Sequence, residues 1–324
     1  MSDTVAIGLD VGGTGTKGAL VTPAGEVLER TESRTDVTAG TKGIITVAEE
    51  LLERAARQGS EVSGVGVAVA GFVDAARGAV TFSPNLVYDD PAVAAAVRAR
   101  VDLPVVVEND ANAAAWGEFK FGTARGVGHL AMLTLGTGVG AGFVVDGRLL
   151  RGATGAGAEF GHVIVESDGP LCNCGLRGCL EQFASGQAIE RMAKEAIEED
   201  PTSAILSFAG TGEQVRAEHV AQAARNYDGV ATEVLRRAGR YLGIGLSNIV
   251  NVFDPQVIVL GGSVVGAGES YLGTARDTLN AMTQAQKRRP MRIDVTSLGR
   301  DAGIIGAASL AIEPVDSWEG THHE

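Results

Sequence analysis

The chain has 324 residues, 45% hydrophobic and only 5% aromatic, enough for a core of Val, Ala, Leu and Ile in one large domain or two medium ones. A formal net charge of −13 excludes non-specific attraction to nucleic acid or anionic membrane, so a phosphate ligand must be held locally by loop amides and a metal ion. No apolar run reaches the ~18 residues of a membrane span, and the N-terminus lacks the charged and apolar regions of a secretory leader. Three cysteines are too few for a disulfide framework, so a cytoplasmic protein is expected.

Residues 5–10 read as a buried strand, 11–17 as a glycine turn, 18–22 as a second strand, 23–25 as a hairpin and 26–33 as a third strand. Helical spacing covers 42–58. A strand over 62–70, a short helix over 91–100 and a strand over 105–107 follow, the last ending at Glu108-Asn109-Asp110. About 120 residues after the first strand the opening pattern returns: strand 129–135, glycine turn 136–140, strand 141–145, the hairpin signal Asp146-Gly147, then 148–151. Helices are predicted over 188–199, 216–226 and 230–252, a buried strand over 257–260 stopping at Gly261-Gly262, and a closing helix over 301–312. A frayed tail is predicted for 313–324. Two copies of strand–glycine turn–strand–hairpin–strand predict a duplicated α/β domain with a cleft between the halves.

Gly accounts for 45 residues, about twice the usual share, and clusters after short β-branched runs, where backbone can approach a ligand. Gly13-Thr-Gly15-Thr-Lys-Gly18 spells the dinucleotide fingerprint, but that motif needs a helix to open directly behind it. Residues 19–23 continue a strand instead, and no Walker A pattern occurs. What remains is Asp10-x-Gly12-Gly13-Thr14-x-x-Lys17 at a strand-to-strand turn. Its amides suit a phosphate, and the Asp10 carboxylate suits Mg²⁺ or a metal-bound water. Gly136-Thr137-Gly138 is the second such turn. A glycine hairpin can also do no more than turn the chain; two equivalent copies favour the phosphate reading.

All three cysteines fall within eight positions, and a histidine lies just upstream: His162, Cys172, Cys174 and Cys179 make a complete tetrahedral shell for Zn²⁺. Gly175 and Gly178 permit the tight turns. A closed shell has no open position, so the ion would shape a site rather than activate water. The alternative is a redox pair or buried free thiols.

Asp10-Val-Gly-Gly-Thr14, Leu135-Gly-Thr-Gly-Val-Gly-Ala-Gly142 and Val257-Ile-Val-Leu-Gly-Gly262 resemble the two phosphate segments and the adenosine segment of the actin-like ATPase superfamily. Glu159-Phe-Gly-His162 and Cys172-x-Cys-Gly-x-x-Gly-Cys179-x-Glu181 narrow the resemblance, over about residues 5–312, to the ROK family of repressors, open reading frames and kinases. The resemblance implies an actin-like ATPase (ribonuclease H-like) α/β fold of duplicated domains. On this reading a small domain, 1–112, is completed by the helix at about 300–312, and a larger domain, 113–299, carries the zinc site.

The implied activity is ATP-dependent transfer of the γ-phosphoryl to the 6-hydroxyl of glucose. Asp110 is then the base and Asn109 a sugar ligand, although an Asp at a strand end is more often the N-cap of a following helix, here 111–117. Glu159, His162 and Glu181 match positions that bind sugar hydroxyls, His162 giving one ring nitrogen to zinc and the other to the sugar. Gly71 and Asn85 match sugar-side positions, with Ala70 standing where family members often carry Pro. Asp10, Gly12, Gly13, Thr14, Lys17, Gly136, Thr137 and Gly138 would hold MgATP phosphates, and Gly261 and Gly262 the adenosine. The four residues ahead of Val5 leave no room for the DNA-binding segment of a repressor. Mannose, N-acetylmannosamine, N-acetylglucosamine or fructose as acceptor, polyphosphate as donor, and a non-catalytic sugar sensor remain alternatives. A homodimer or homotetramer is implied by resemblance.

Overall fold

The computed structural model describes residues 4–13, 15–34, 40–83, 86–283 and 289–313; Thr14, Asn85 and the predicted tail beyond Glu313 lie outside them. In chain order the elements are β1 (Thr4–Val11), β2 (Gly15–Val21), β3 (Val27–Arg34), α1 (Gly40–Gln58), β4 (Glu61–Val69), β5 (Phe72–Asp74), β6 (Ala79–Phe82), α2 (Val93–Val101), β7 (Val105–Asn109) and α3 (Asp110–Lys120). Then follow β8 (Leu130–Leu135), β9 (Val139–Val145), β10 (Arg148–Leu149), α4 (Glu181–Ala184), α5 (Gly186–Glu199), α6 (Ile205–Ala209), α7 (Ala217–Arg225) and α8 (Gly229–Phe253). The chain closes with β11 (Val257–Gly261), α9 (Glu269–Met282), β12 (Arg292–Val295) and α10 (Ala302–Ile312).

These elements fall into two compact units, one from the described residues of Met1–Leu130, Gly142–Ala158 and Thr296–Glu324, the other from Ala131–Ala141 and Glu159–Val295. The first unit holds a sheet of order β3-β2-β1-β4-β7, with an antiparallel β1-β2-β3 meander and β1, β4 and β7 parallel. Large and small residues alternate along β1 and β4. Val5, Ile7, Leu9, Val65, Val67 and Val69 pack on α1 and α2 through Ile44, Val47, Leu51, Val93 and Val97. The other face carries Ala6, Gly8, Gly64, Gly66 and Ala68, and it receives α10.

That helix lies almost backbone on backbone. A Cβ at Gly66 would stand 1.8 Å from the carbonyl oxygen of Ala307, and one at Gly306 would stand 1.7 Å from that of Ala113 on α3. A larger residue at Gly66 would push the helix off the sheet, and one at Gly306 would push it off α3.

The second sheet has the order β10-β9-β8-β11-β12. In the second unit α8 begins at Asp228, whose side chain accepts from the Ala231 amide, and packs on α9 where a Cβ at Gly239 would stand 2.3 Å from the Tyr271 carbonyl oxygen. The buried Tyr271 hydroxyl donates to the Ala184 carbonyl at 2.6 Å, and Phe183 stacks on Tyr241 at 3.9 Å between centroids, so α4 is tied to both helices.

The α/β class expected from the sequence is observed, and the predicted elements at 5–10, 42–58, 129–135, 188–199, 230–252, 257–260 and 301–312 match β1, α1, β8, α5, α8, β11 and α10 to within two residues. β2 begins three residues before its predicted start, because the Gly12 amide donates to the Gly15 carbonyl at 3.0 Å and closes the turn early. Sequence reasoning missed β5, β6, β12, α4, α6 and α9. Among the described residues no helix is long and apolar enough to cross a membrane.

Candidate active site

The parallel strands of the first unit deliver polar residues at their C-terminal ends, where ligands bind in open α/β sheets: Asp10 on β1, Gly71 just past β4, Asn109 at the end of β7 and Asp110 opening α3. Asp10, Ala68 and Glu108 are in register across three neighbouring strands. Burial pushes the Asp10 carboxyl pKa upward, against the pull of Lys17, its cross-strand partner on β2. A buried carboxylate short of positive charge is suited to a divalent cation. Asp10 also borders the first turn of α10, since a Cβ at Gly303 would lie 3.7 Å from its Oδ2. Gly12 and Gly13 form the turn that leads out of β1.

A helix does follow Asp110, but the cap is Asn109. Its backbone is extended (φ −62°, ψ 144°), its side-chain oxygen accepts from the Asn112 amide at 3.0 Å, and its Nδ2 donates to the Gly71 carbonyl at 3.2 Å. Asn and Asp cap equally well, so composition could not choose between neighbours. Asp110 is therefore the first helical residue. Its Oδ1 accepts from the Ala111 amide at 2.8 Å, at the positive end of the helix dipole. Gly71, Asn109 and Asp110 are thus brought together. Tyr88, which the sequence did not single out, belongs with them: its hydroxyl is buried with no hydrogen-bond partner among the described residues, and burial first, then the Asp110 charge, raises its pKa.

In the second unit, residues 163–180 fold into a small knuckle with bridges Ile164↔Cys179 and Leu171↔Arg177. Gly178 has φ +74°, and a Cβ there would stand 1.5 Å from the Glu166 carbonyl oxygen, so only glycine closes this turn. The donor atoms of His162, Cys172, Cys174 and Cys179 all lie within 4.8 Å of one another. Cys174 Sγ and Cys179 Sγ are 3.6 Å apart, as are Cys172 Sγ and His162 Nδ1. A tetrahedron with Zn–S bonds of ~2.3 Å has edges of roughly 3.8 Å. Burial, reinforced by the neighbouring thiols, pushes Cys179 up to about 12, which is what crowded thiols do until a cation joins them. The donor set fits zinc.

Leu180 and α4 follow the last cysteine directly. Glu181, the first residue of α4, accepts the Val139 amide on Oε2 at 3.0 Å, and its Oε1 lies 4.0 Å from Cys172 Sγ. A Cβ at Gly138 would stand 2.2 Å from that Oε2, so the glycine turn and the carboxylate touch. His162 turns Nδ1 to the thiols and Nε2 to Glu159, 4.0 Å away. Burial raises the Glu159 pKa, His162 opposes the rise and Glu181 adds to it.

The turn itself is closed by the Gly136 amide on the Gly138 carbonyl (3.0 Å). It is held at the start of α5, where the Gly186 amide donates to Gly136 (2.8 Å) and that of Gln187 to Thr137 (3.3 Å). Beside it opens a cavity of about 780 Å³, bounded by Gly136, Thr137, Gln187, Glu190, Arg216, Gln222 and Arg225, and by the segment from Ser263 to Ala267 that Gly262 leads into. This volume suits a nucleotide-sized ligand. Sequence reasoning found the turn and Gly261-Gly262 but missed the helical walls, whose residues carry no motif and meet only through packing.

The ROK family model matches residues 6–314. Glucokinase from Streptomyces coelicolor is 38% identical over 314 residues, 96% of this chain and 98% of its own. Among solved structures, a ROK family glucokinase from Streptomyces griseus in complex with glucose and AMPPNP aligns at a TM-score of 0.82 with 38% identity, covering 95% of this chain and 99% of that one. A ROK family transcriptional regulator, a homolog of the E. coli MLC protein, aligns at 0.87 with 26% identity, covering 96% of this chain and 78% of that one. With a family model spanning nearly all of its length and a relative 38% identical over 96% of it, this chain is a member of the ROK family.

Proposed function

We propose that the chain is a hexose kinase that transfers the γ-phosphoryl of MgATP to the 6-hydroxyl of glucose, releasing glucose 6-phosphate and ADP. The observation that carries this is 38% identity, over nearly the whole chain, to a glucokinase solved with glucose and AMPPNP. The cavity beside Gly136 and Thr137 supports a nucleotide as donor over polyphosphate.

Phosphoryl transfer asks for alignment, charge neutralisation and a base rather than covalent chemistry. Asp110 takes the proton of the attacking hydroxyl. Asn109, with Gly71 and Asn85, orients the sugar, and Glu159, His162 and Glu181 bind its other hydroxyls. Gly12, Gly13, Thr14, Lys17 and Gly136 to Gly138 receive the phosphates, Gly261 and Gly262 border the adenosine, and Asp10 serves Mg²⁺. His162 and the thiolates of Cys172, Cys174 and Cys179 would hold zinc, which would supply no reactive position but would set the tautomer of His162 and steady the start of α4. A cytoplasmic homodimer or homotetramer belongs to the same proposal, and sedimentation velocity reads its assembly.

The test is ADP release from MgATP against glucose, mannose, N-acetylmannosamine, N-acetylglucosamine and fructose. The highest kcat/KM is expected for glucose; a higher value for an N-acetyl sugar would overturn the acceptor while keeping the mechanism. The likeness to the regulator gives a second reading, a sugar-responsive protein without turnover. Sugar binding with no ADP release would favour it.

A further inference from the structure

Glu108 precedes the Asn109–Asp110 pair and is only 2% exposed. Both carboxylate oxygens are engaged: Oε1 accepts from the Asn109 amide at 3.0 Å and from Asn112 Nδ2 at 3.1 Å, while Oε2 accepts from Arg151 Nε at 2.6 Å. The side chains of this ion pair are 15% and 3% exposed, whereas the next most buried pair among the described residues, Arg54–Glu29, is 25% and 27% exposed. Arg151 opens the loop after β10, which its own carbonyl closes by accepting from the Gly157 amide at 3.0 Å. The loop is pressed on β5, where a Cβ at Gly155 would stand 1.9 Å from the Val73 carbonyl oxygen. All these residues belong to the first unit.

Burying an ion pair gains little stability over an apolar pair, because desolvation offsets the attraction. What this pair does provide is direction. Its carboxylate holds the backbone of the helix cap and the side chain of Asn112, whose amide the cap accepts, and its guanidinium belongs to a separate loop. We propose that Glu108 and Arg151 are positioning residues for phosphoryl transfer, linking loop 151–157 to the N-terminus of α3 so that Asn109 and Asp110 keep one orientation. The proposal rests on the reading of Asp110 as the base.

The test compares Arg151→Met, Arg151→Lys, Glu108→Gln and the double variant Glu108→Gln, Arg151→Met. Arg151→Met strands a buried carboxylate and should lower kcat/KM for glucose about 30- to 300-fold while KM for MgATP stays within about twofold. Arg151→Lys should recover most of the loss, and the double variant should be no worse than Arg151→Met, because the two side chains act as one unit. Amide hydrogen exchange of the ligand-free variants should rise together in 109–112 and 151–157. If Arg151→Met does not fold, the Lys and double variants carry the comparison. Additive single effects, equal rises in both KM values, or exchange rising in only one segment would overturn the proposal. If the wild-type chain phosphorylates no hexose, the kinase reading fails separately, and the exchange data alone decide whether the two segments are linked.

Discussion

Asp110 and Glu181 are held in opposite ways. Asp110 opens a helix whose cap, strand and supporting loop are bonded through the polypeptide alone: Asn109 to Gly71 and Asn112, Glu108 to Arg151. Glu181 opens a four-residue helix behind a knuckle of bridges and thiols, where Cys174 Sγ meets Cys179 Sγ and Cys172 Sγ meets the His162 imidazole. Regular secondary structure fixes the first carboxylate, and the second follows a cluster of His and Cys donors that fits zinc. Asp110 should therefore tolerate chelators and fail on single side-chain changes, while the knuckle side should do the reverse.

The largest effect is expected from Asp110→Asn, which should lower kcat by about 10²–10⁴-fold. Calorimetry should find glucose affinity within about threefold of wild type, and a near-normal kcat would remove Asp110 as the base. Next comes zinc. Stripping the metal, or Cys179→Ser, should cost on the order of 10–100-fold in kcat/KM for glucose and loosen Val139 with α4, while amide exchange at 109–112 stays unchanged. Exchange rising equally in both regions would erase the distinction between them.

Gly306→Ala probes the packing of α10 on α3. Its Cβ would meet the Ala113 carbonyl oxygen at 1.7 Å, and overpacking of that kind should cost about 1–3 kcal/mol in denaturant unfolding. An unchanged midpoint would show that α10 can lift from α3 without cost.

The smallest effect concerns Asp10. Its folded pKa is raised by burial, so its contribution to stability is fully present below the unfolded value of about 3.9 and is lost as pH rises through the folded value. Asp10→Asn should therefore slightly raise the melting temperature of the ion-free protein at neutral pH, a gain that disappears below about pH 4. A melting temperature lowered at every pH would contradict the burial argument.

How far these regions could be read in advance also differs. The knuckle was legible because Cys and His spacing constrains a metal shell directly, and its glycines marked the turns. The strand ends were legible as a pattern, but the cap assignment was not, since Asn109 and Asp110 are chemically equivalent as caps and only the extended backbone at 109 separates them. The cavity wall of Gln187, Arg216, Gln222 and Arg225 was hidden because α5 and α7 are distant in sequence from Gly136. β12 was missed because four residues, Arg292 to Val295, are too few to show alternation. α9 was readable in principle from Tyr271, Leu272, Ala275 and Leu279, whose spacing is helical.

The most direct test of the account is ³¹P NMR of wild-type protein with MgATP and glucose. It predicts one glucose 6-phosphate formed for each ADP, with ADP production negligible when sugar is omitted. ADP and inorganic phosphate appearing at the same rate with or without glucose, or no ADP from zinc-loaded protein, would contradict it.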